Sequence, residues 1–190
     1  KAFADFERLG FPTRKQEKYK YTEIGTFFAP DFGLNLNRLE FPVNPYEVFK
    51  CDVPNMSTSL YFVINDSFDK HDHPSAQLPE GVLFGSLREL AMQYPDLIKK
   101  HYGKLADTSK DGLTAFNTMF AQDGVLMYVP KNVVMEKPIQ LVNILRADVN
   151  TLSNRRLLII LEEGAQAKLL VCDHAMDNVN FLSTQVTEVF

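Results

Sequence analysis

The stretch "NRRLLIILEEGAQAKLLVCDH", residues 154–174, decides how this chain is expected to fold. Two apolar runs, at 157–161 and 169–172, flank the triplet "EEG" at 162–164. Each run is too short for a helix and rich in Leu, Ile and Val, so each reads as a buried strand. Glu162, Glu163 and Gly164 read as the turn between them, with Gly164 supplying a permissive backbone.

The same pattern extends outward. "VLMYVP" (125–130), "IQLVNIL" (139–145) and "TQVTEVF" (184–190) are further strands, separated by "KNVVMEKP", "RADVNTLSNR" and "AMDNVNF". Short strands at such regular spacing suggest a sandwich, a barrel or a β-solenoid, and periodicity alone does not choose among them. Val125, Met127, Leu141, Leu158, Ile160 and Leu170 are expected to point inward. The last run stops as an apolar strand, whose unpaired edge native proteins normally avoid. Solenoids also need capped ends. The chain, which begins at Lys1 rather than Met, is therefore expected to be the front part of something longer.

Upstream of residue 124 the character is mixed. Phe3, Phe6 and Leu9 fall three apart and stop at Gly10, an amphipathic helix with its stop signal. Thr13 with Gln16 fits a capping box, so a second helix is expected from Arg14, with Tyr21, Ile24 and Phe28 on one face. "YEVFK" (46–50) and "SLYFVIN" (59–65) read as strands. The segment 67–81 reads as a polar loop. Ser86 and Glu89 form another capping box. Pro95 interrupts that helix or starts the next, which ends at Gly103. Leu113, Phe116 and Phe120 give one more helical face, expected to close at Asp123-Gly124. The organisation is thus a mixed α/β N-terminal domain at 1–123 and a β-rich body at 124–190.

Composition bounds the function. The chain has 190 residues, 45% of them hydrophobic, enough for a core. Its net charge is −4, an unfavourable balance for nucleic-acid binding. Two cysteines, Cys51 and Cys172, form no framework and suit a reducing compartment. No apolar run approaches the length needed to span a bilayer, and no signal-peptide pattern is visible. A cytoplasmic location is the expectation.

Several motifs offer chemistry. His71 and His73 in "HDHP" would share a side of an extended segment, as metal ligands in a cupin-like β-barrel enzyme would, with His174 as a distant third. Pro74 and Pro79 interrupt that segment and Glu80 is too far on, so a polar surface loop is favoured. Cys172 and His174 would share a strand face as a dyad, but a Cys after Leu169, Leu170 and Val171 reads first as core. Between Arg14 and Tyr21, basic residues interleave with aromatics as on a nucleic-acid platform. Over residues 11–24, four basic and two acidic residues leave only +2, which supports a salt slope of roughly −1.4 on single strands. A solvated helical face is favoured. No nucleotide-binding glycine motif or nucleophile elbow occurs, so ATP binding by this chain is not expected.

Three passages carry a resemblance. "FPTRKQEKYKYT" (11–22) looks like the "P-T-R-x-x-E-x-W-K-Y-T" signature of the SufB/SufD family of SUF iron–sulfur cluster assembly scaffolds, with Tyr19 where Trp is frequent. Residues 113–145 resemble that family's "N-x-x-F-x-x-D-G" and "V-P-x-x-x-x-x-x-P-I-x-L" passages. Residues 154–174 resemble its next coils. Asp123-Gly124 looks more like the SufD branch. The resemblance implies a mixed N-terminal domain followed by a right-handed parallel β-helix whose first coils are 124–190. It also implies a non-catalytic scaffold that works with a SufB-like paralogue and the ATPase SufC, a homodimer being left open. No nucleic acid or membrane is implied as partner. The cluster and ATP belong to the full complex. The family's functional histidine and SufC-binding helices lie beyond this segment, so no catalytic, cofactor or metal residue is carried over.

Overall fold

The computed structural model of the chain describes residues 1–32, 43–45, 58–69 and 78–190. The expected strand "YEVFK" lies outside these residues. Helix α1 (Ala2–Leu9) forms as its spacing predicts and ends at Gly10, whose φ of 61° lets its N–H donate to the Phe6 carbonyl at 2.7 Å. The helix expected from Arg14 does not form. Residues 14–15 make a turn, a single 3-10 turn follows at Glu17–Tyr19, and a short α2 covers Ile24–Phe27. Thr13 supplies its backbone carbonyl, not a side-chain cap, to the Gln16 N–H at 2.9 Å. Tyr21 is 87% exposed and takes no part in a buried face.

Strand β1 (Ser59–Ile64) turns through Asn65, at φ 56°, into a short antiparallel β2 (Ser67–Phe68). Strand β3 (Leu83–Ser86) leads into α3 (Leu87–Gln93), where Ser86 Oγ accepts the Glu89 N–H at 3.2 Å as its capping pattern predicts. Pro95 opens α4 (Pro95–His101), and α5 (Gly112–Phe120) is capped by Asp111, which accepts from the Thr114 N–H at 2.8 Å. Asp123 and Gly124 do not close that helix. They begin β4 (Asp123–Val129), which is followed by β5 (Ile139–Leu145), β6 (Thr151–Leu161), β7 (Leu169–Ala175) and β8 (Phe181–Val189).

The strands form two four-stranded sheets, ordered β2-β1-β5-β7 and β3-β4-β6-β8. From β4 onward the chain alternates between them. β1, β5 and β7 pair in parallel, as do β4, β6 and β8. The register advances by 30 residues from β5 to β7 and from β6 to β8, with Ile139 opposite Leu169 and Thr151 opposite Phe181, and by 32 from β4 to β6, with Asp123 opposite Arg155. The turns stack with the strands. Asn132 donates its N–H to Glu163 O at 2.9 Å, Val134 bridges Gln166, and Thr151 N–H reaches Asn180 O at 3.0 Å. Among the described residues both sheets are parallel over their main strands, with antiparallel pairing at β1–β2 and β3–β4.

The core lies between the sheets. Tyr61, Val63, Ile139 and Leu141 of one meet Val125, Met127, Val129 and Leu157 of the other. Each such side chain contributes about 1.5–3 kcal/mol by leaving water. Val125, Met127 and Leu141 thus point inward as expected. Leu158 and Ile160 do not. They lie on the outer face with Leu126 and meet Leu87, Leu90, Leu97 and Ile98 of α3 and α4. Leu170, next to the inward-packing Leu169, also falls on the opposite face and is only half-buried. A strand covered on both sides is apolar at consecutive positions, which hides which face is which.

The close approach of β4 to β6 requires glycine at 124. A Cβ there would sit 2.1 Å from the Arg156 carbonyl oxygen of the neighbouring strand, whereas nothing lies within 4 Å of one added at Gly25. Gly124→Ala is expected to lower stability in chemical denaturation by at least about 1–3 kcal/mol. Gly25→Ala, in a helix with open space around it, should be neutral or gain up to about 1 kcal/mol.

Candidate functional site

The stretch that carries basic and aromatic residues together, 11–24, is built as a fastening. Phe11 stacks on Phe28 with ring centroids 4.2 Å apart, and both rings approach Phe116 of α5, at 5.4 and 5.1 Å. Phe6 of α1 closes the cluster at 5.6 Å from Phe116. The chain between Phe11 and Phe28 is therefore a closed excursion, and two of its basic groups are answered locally. Arg14 Nε lies 3.3 Å from Glu23, Lys20 pairs with Glu17, and Lys20 Nζ stands 5.2 Å from the Tyr21 ring centroid.

Tyr19 holds the excursion to the body. Its hydroxyl donates to Asp111 Oδ2 at 2.6 Å, while Asp111 Oδ1 caps α5. Burial first, and then the bond to Asp111, push the Tyr19 phenol above its ordinary value. A raised phenol contributes stability that is complete below the free value of about 10 and is lost as pH climbs past it.

The expected metal and thiol candidates divide. His71, His73 and Cys51 lie outside the described residues. Cys172 and His174 do share a face of β7, in register with Val142 and Ile144 of β5. Cys172 is half-buried and its sulfur takes a 3.7 Å contact from Gln140 Nε2. Among the described residues no group of three or more His, Cys, Asp or Glu is arranged to hold a metal ion.

What the sequence reading missed is a charged layer at the polar end of the core. Consecutive Arg155 and Arg156 point to opposite faces of β6. Arg155, 5% exposed, reaches inward, and its Nη2 donates at 2.7 Å to Asp173 Oδ1 across the gap and at 2.7 Å to Ser183 Oγ on its own sheet. Asn143 of β5, in register with Asp173, and Ser153 of β6 are buried as well. Asp123, one strand over, accepts from Ser86 Oγ at 2.9 Å and from the Arg88 N–H at 3.0 Å. Arg156 turns outward and lies 4.5 Å from the Tyr102 ring centroid. Strand parity applied to "SNRR" would have signalled both roles. The layer ties the sheets together. A buried charge needs its partner more than the partner raises stability.

Tyr19→Phe is expected to cost about 1.5–3 kcal/mol in denaturant unfolding at neutral pH, the range for a hydrogen bond to a charged group. The difference from the unsubstituted protein should shrink above pH 10. Asp111→Ala should cost more, because the α5 cap, worth about 0.5–2 kcal/mol, goes too.

Comparison with known proteins gives this arrangement its relatives. Residues 1–141 match the family model described as the SufBD protein N-terminal region. A chloroplastic iron–sulfur cluster assembly SufBD family protein of Arabidopsis thaliana is 29% identical, aligned over 100% of this chain and 36% of its own length. A second Arabidopsis thaliana protein of that family is 32% identical over 58% of this chain and 24% of its own length. The iron–sulfur cluster assembly protein SufD of Bacillus subtilis is 32% identical over 57% of this chain and 25% of its own length. The chain thus spans a quarter to about a third of the length of these relatives. With the family model covering most of its residues, the chain belongs to the SufBD family of iron–sulfur cluster assembly proteins and represents that family's N-terminal region.

Proposed function

We propose that this chain is the N-terminal part of a non-catalytic scaffold subunit in iron–sulfur cluster assembly, of the SufD rather than the SufB type. Residues 1–123 act as a mixed α/β entry domain, and 124–190 as the first coils of a right-handed parallel β-helix. What carries the reading is the 30-residue offset that β6 to β8 shares with β5 to β7, following one of 32 residues from β4 to β6. One coil stacks on the next, as a mount for later coils requires.

Exposure along the stack supports it. Leu141 is 2% exposed and its partner Val171 is 36%, while Val189 of β8 reaches 54%. The inner faces of β7 and β8 are the receiving surface for a further coil. The preference for SufD rests on Asp123-Gly124, the buried start of β4. The chain's own residues shape and fasten the scaffold and hold no resident cofactor. The cluster is cargo of the whole assembly, and ATP is used by a SufC-like partner. The partners are a SufB-like paralogue and that ATPase, met mainly through regions beyond this segment. One relative is described as chloroplastic. No helix among the described residues is long and apolar enough to cross a membrane.

The test uses the full-length protein co-expressed with its SufB-like and SufC-like partners. Leu157→Asp, which places a charge between the sheets, should abolish the co-purifying complex and the cluster it accumulates. Purified alone, the unsubstituted protein should show no ATP hydrolysis. Wild-type complex yield and cluster content in Leu157→Asp, or ATP turnover by the isolated protein, would contradict the scaffold reading.

A further inference from the structure

Residues 103–106 cross the outer face of the second sheet between α4 and the turn before α5. Their attachment is unusual in kind. Gly103, Lys104 and Leu105 are exposed, Leu105 by 58%, so apolar burial contributes little to holding them. Instead three backbone donors converge on one carboxylate. Glu188 of β8 accepts from the N–H groups of Gly103 at 2.8 Å, Leu105 at 2.9 Å and Ala106 at 3.0 Å. Glu188 is itself 3% exposed. Arg156 Nη2 stands 3.5 Å away on the next strand, with its guanidinium over Tyr102.

The flanks are anchored separately. On one side Leu97, Ile98 and Tyr102 pack on Leu126, Leu158 and Ile160. On the other, Thr108 Oγ1 donates to Asp5 at 2.5 Å and the Ser109 carbonyl accepts from Arg8 at 2.8 Å. Gly103, at φ 70°, supplies a joint between the anchored helix and the crossing segment.

We propose that residues 103–106 are a releasable strap, closed by the single carboxylate of Glu188 and able to open while both sheets stay folded. A segment held by charge-assisted bonds at one point, with little buried apolar surface, belongs to the low-stability end of a fold. The consequence is directional. The strap closes only when β8 is seated beside β6, so the helical layer registers whether the third strand of that stack is in place.

Residue-resolved hydrogen exchange on the full-length protein tests this. In Glu188→Gln and Glu188→Ala the amides of Gly103, Leu105 and Ala106 should exchange at least about tenfold faster, with those of Leu157 and Ile159 in β6 unchanged. Leu105→Ala should leave strap exchange as it is. In the unsubstituted protein, the strap amides should open at lower denaturant than the β6 amides. Unchanged strap exchange in both Glu188 variants, equal acceleration in Leu105→Ala, or strap and β6 amides opening together would each overturn the proposal.

Discussion

Everything in this structure from β4 onward depends on parallel pairing at a near-constant offset. A parallel strand cannot follow its partner through a tight turn, so the chain must leave the sheet and return. Here it returns by way of the opposite sheet, and each circuit consumes about the same number of residues. That constraint fixes the rest. Inward residues of successive circuits lie in register, so Leu141 meets Val171 and Leu157 meets Thr187. The corner turns stack too, and Lys131 beside Glu163, at 2.6 Å, is one such pair.

Because the second sheet is covered on its outer side by α3, α4 and α5, β6 serves two interiors. Leu157 faces the other sheet and Leu158 faces the helices. The adjacent arginines obey the same parity, and each finds a carboxylate on its own side, Asp173 for Arg155 and Glu188 for Arg156. Charges placed this way do little for net stability, since desolvation offsets their attraction. They oppose slippage, because a one-residue shift of β6 would send each arginine to the wrong face.

Strands β1 and β4 to β8 were legible because their cues are local, apolar runs with Gly, Asn or Pro between them, whereas the short β2, inside a stretch read as loop, and β3 were not. The caps at Ser86 and the stop at Gly10 were legible for the same reason. The failures share one cause. Thr13 and Gln16 satisfy a local helix-start pattern, yet Phe11 and Phe28 both seek Phe116, and that distant aromatic partner folds the intervening chain into turns. The inward assignment of Leu158 and Ile160 failed because nothing within "RLLIIL" reveals that helices cover its second face. The partner of Tyr19 is 92 residues away, at Asp111, beyond the reach of any spacing rule. Of the candidate chemistry, the Cys172–His174 juxtaposition was readable from strand alternation. The Arg155 layer was missed because the charge at the head of β6 was counted without its face.

The central claim is the parallel register itself, and inter-strand NMR contacts test it most directly. Parallel pairing places backbone amide and Hα protons of Leu141 beside those of Val171, and of Leu157 beside Thr187. The account predicts amide–Hα cross-peaks at both pairs, repeated at the same offset along each strand. Strong Hα–Hα cross-peaks between β6 and β8, the mark of antiparallel pairing, or their displacement by one residue, would contradict it.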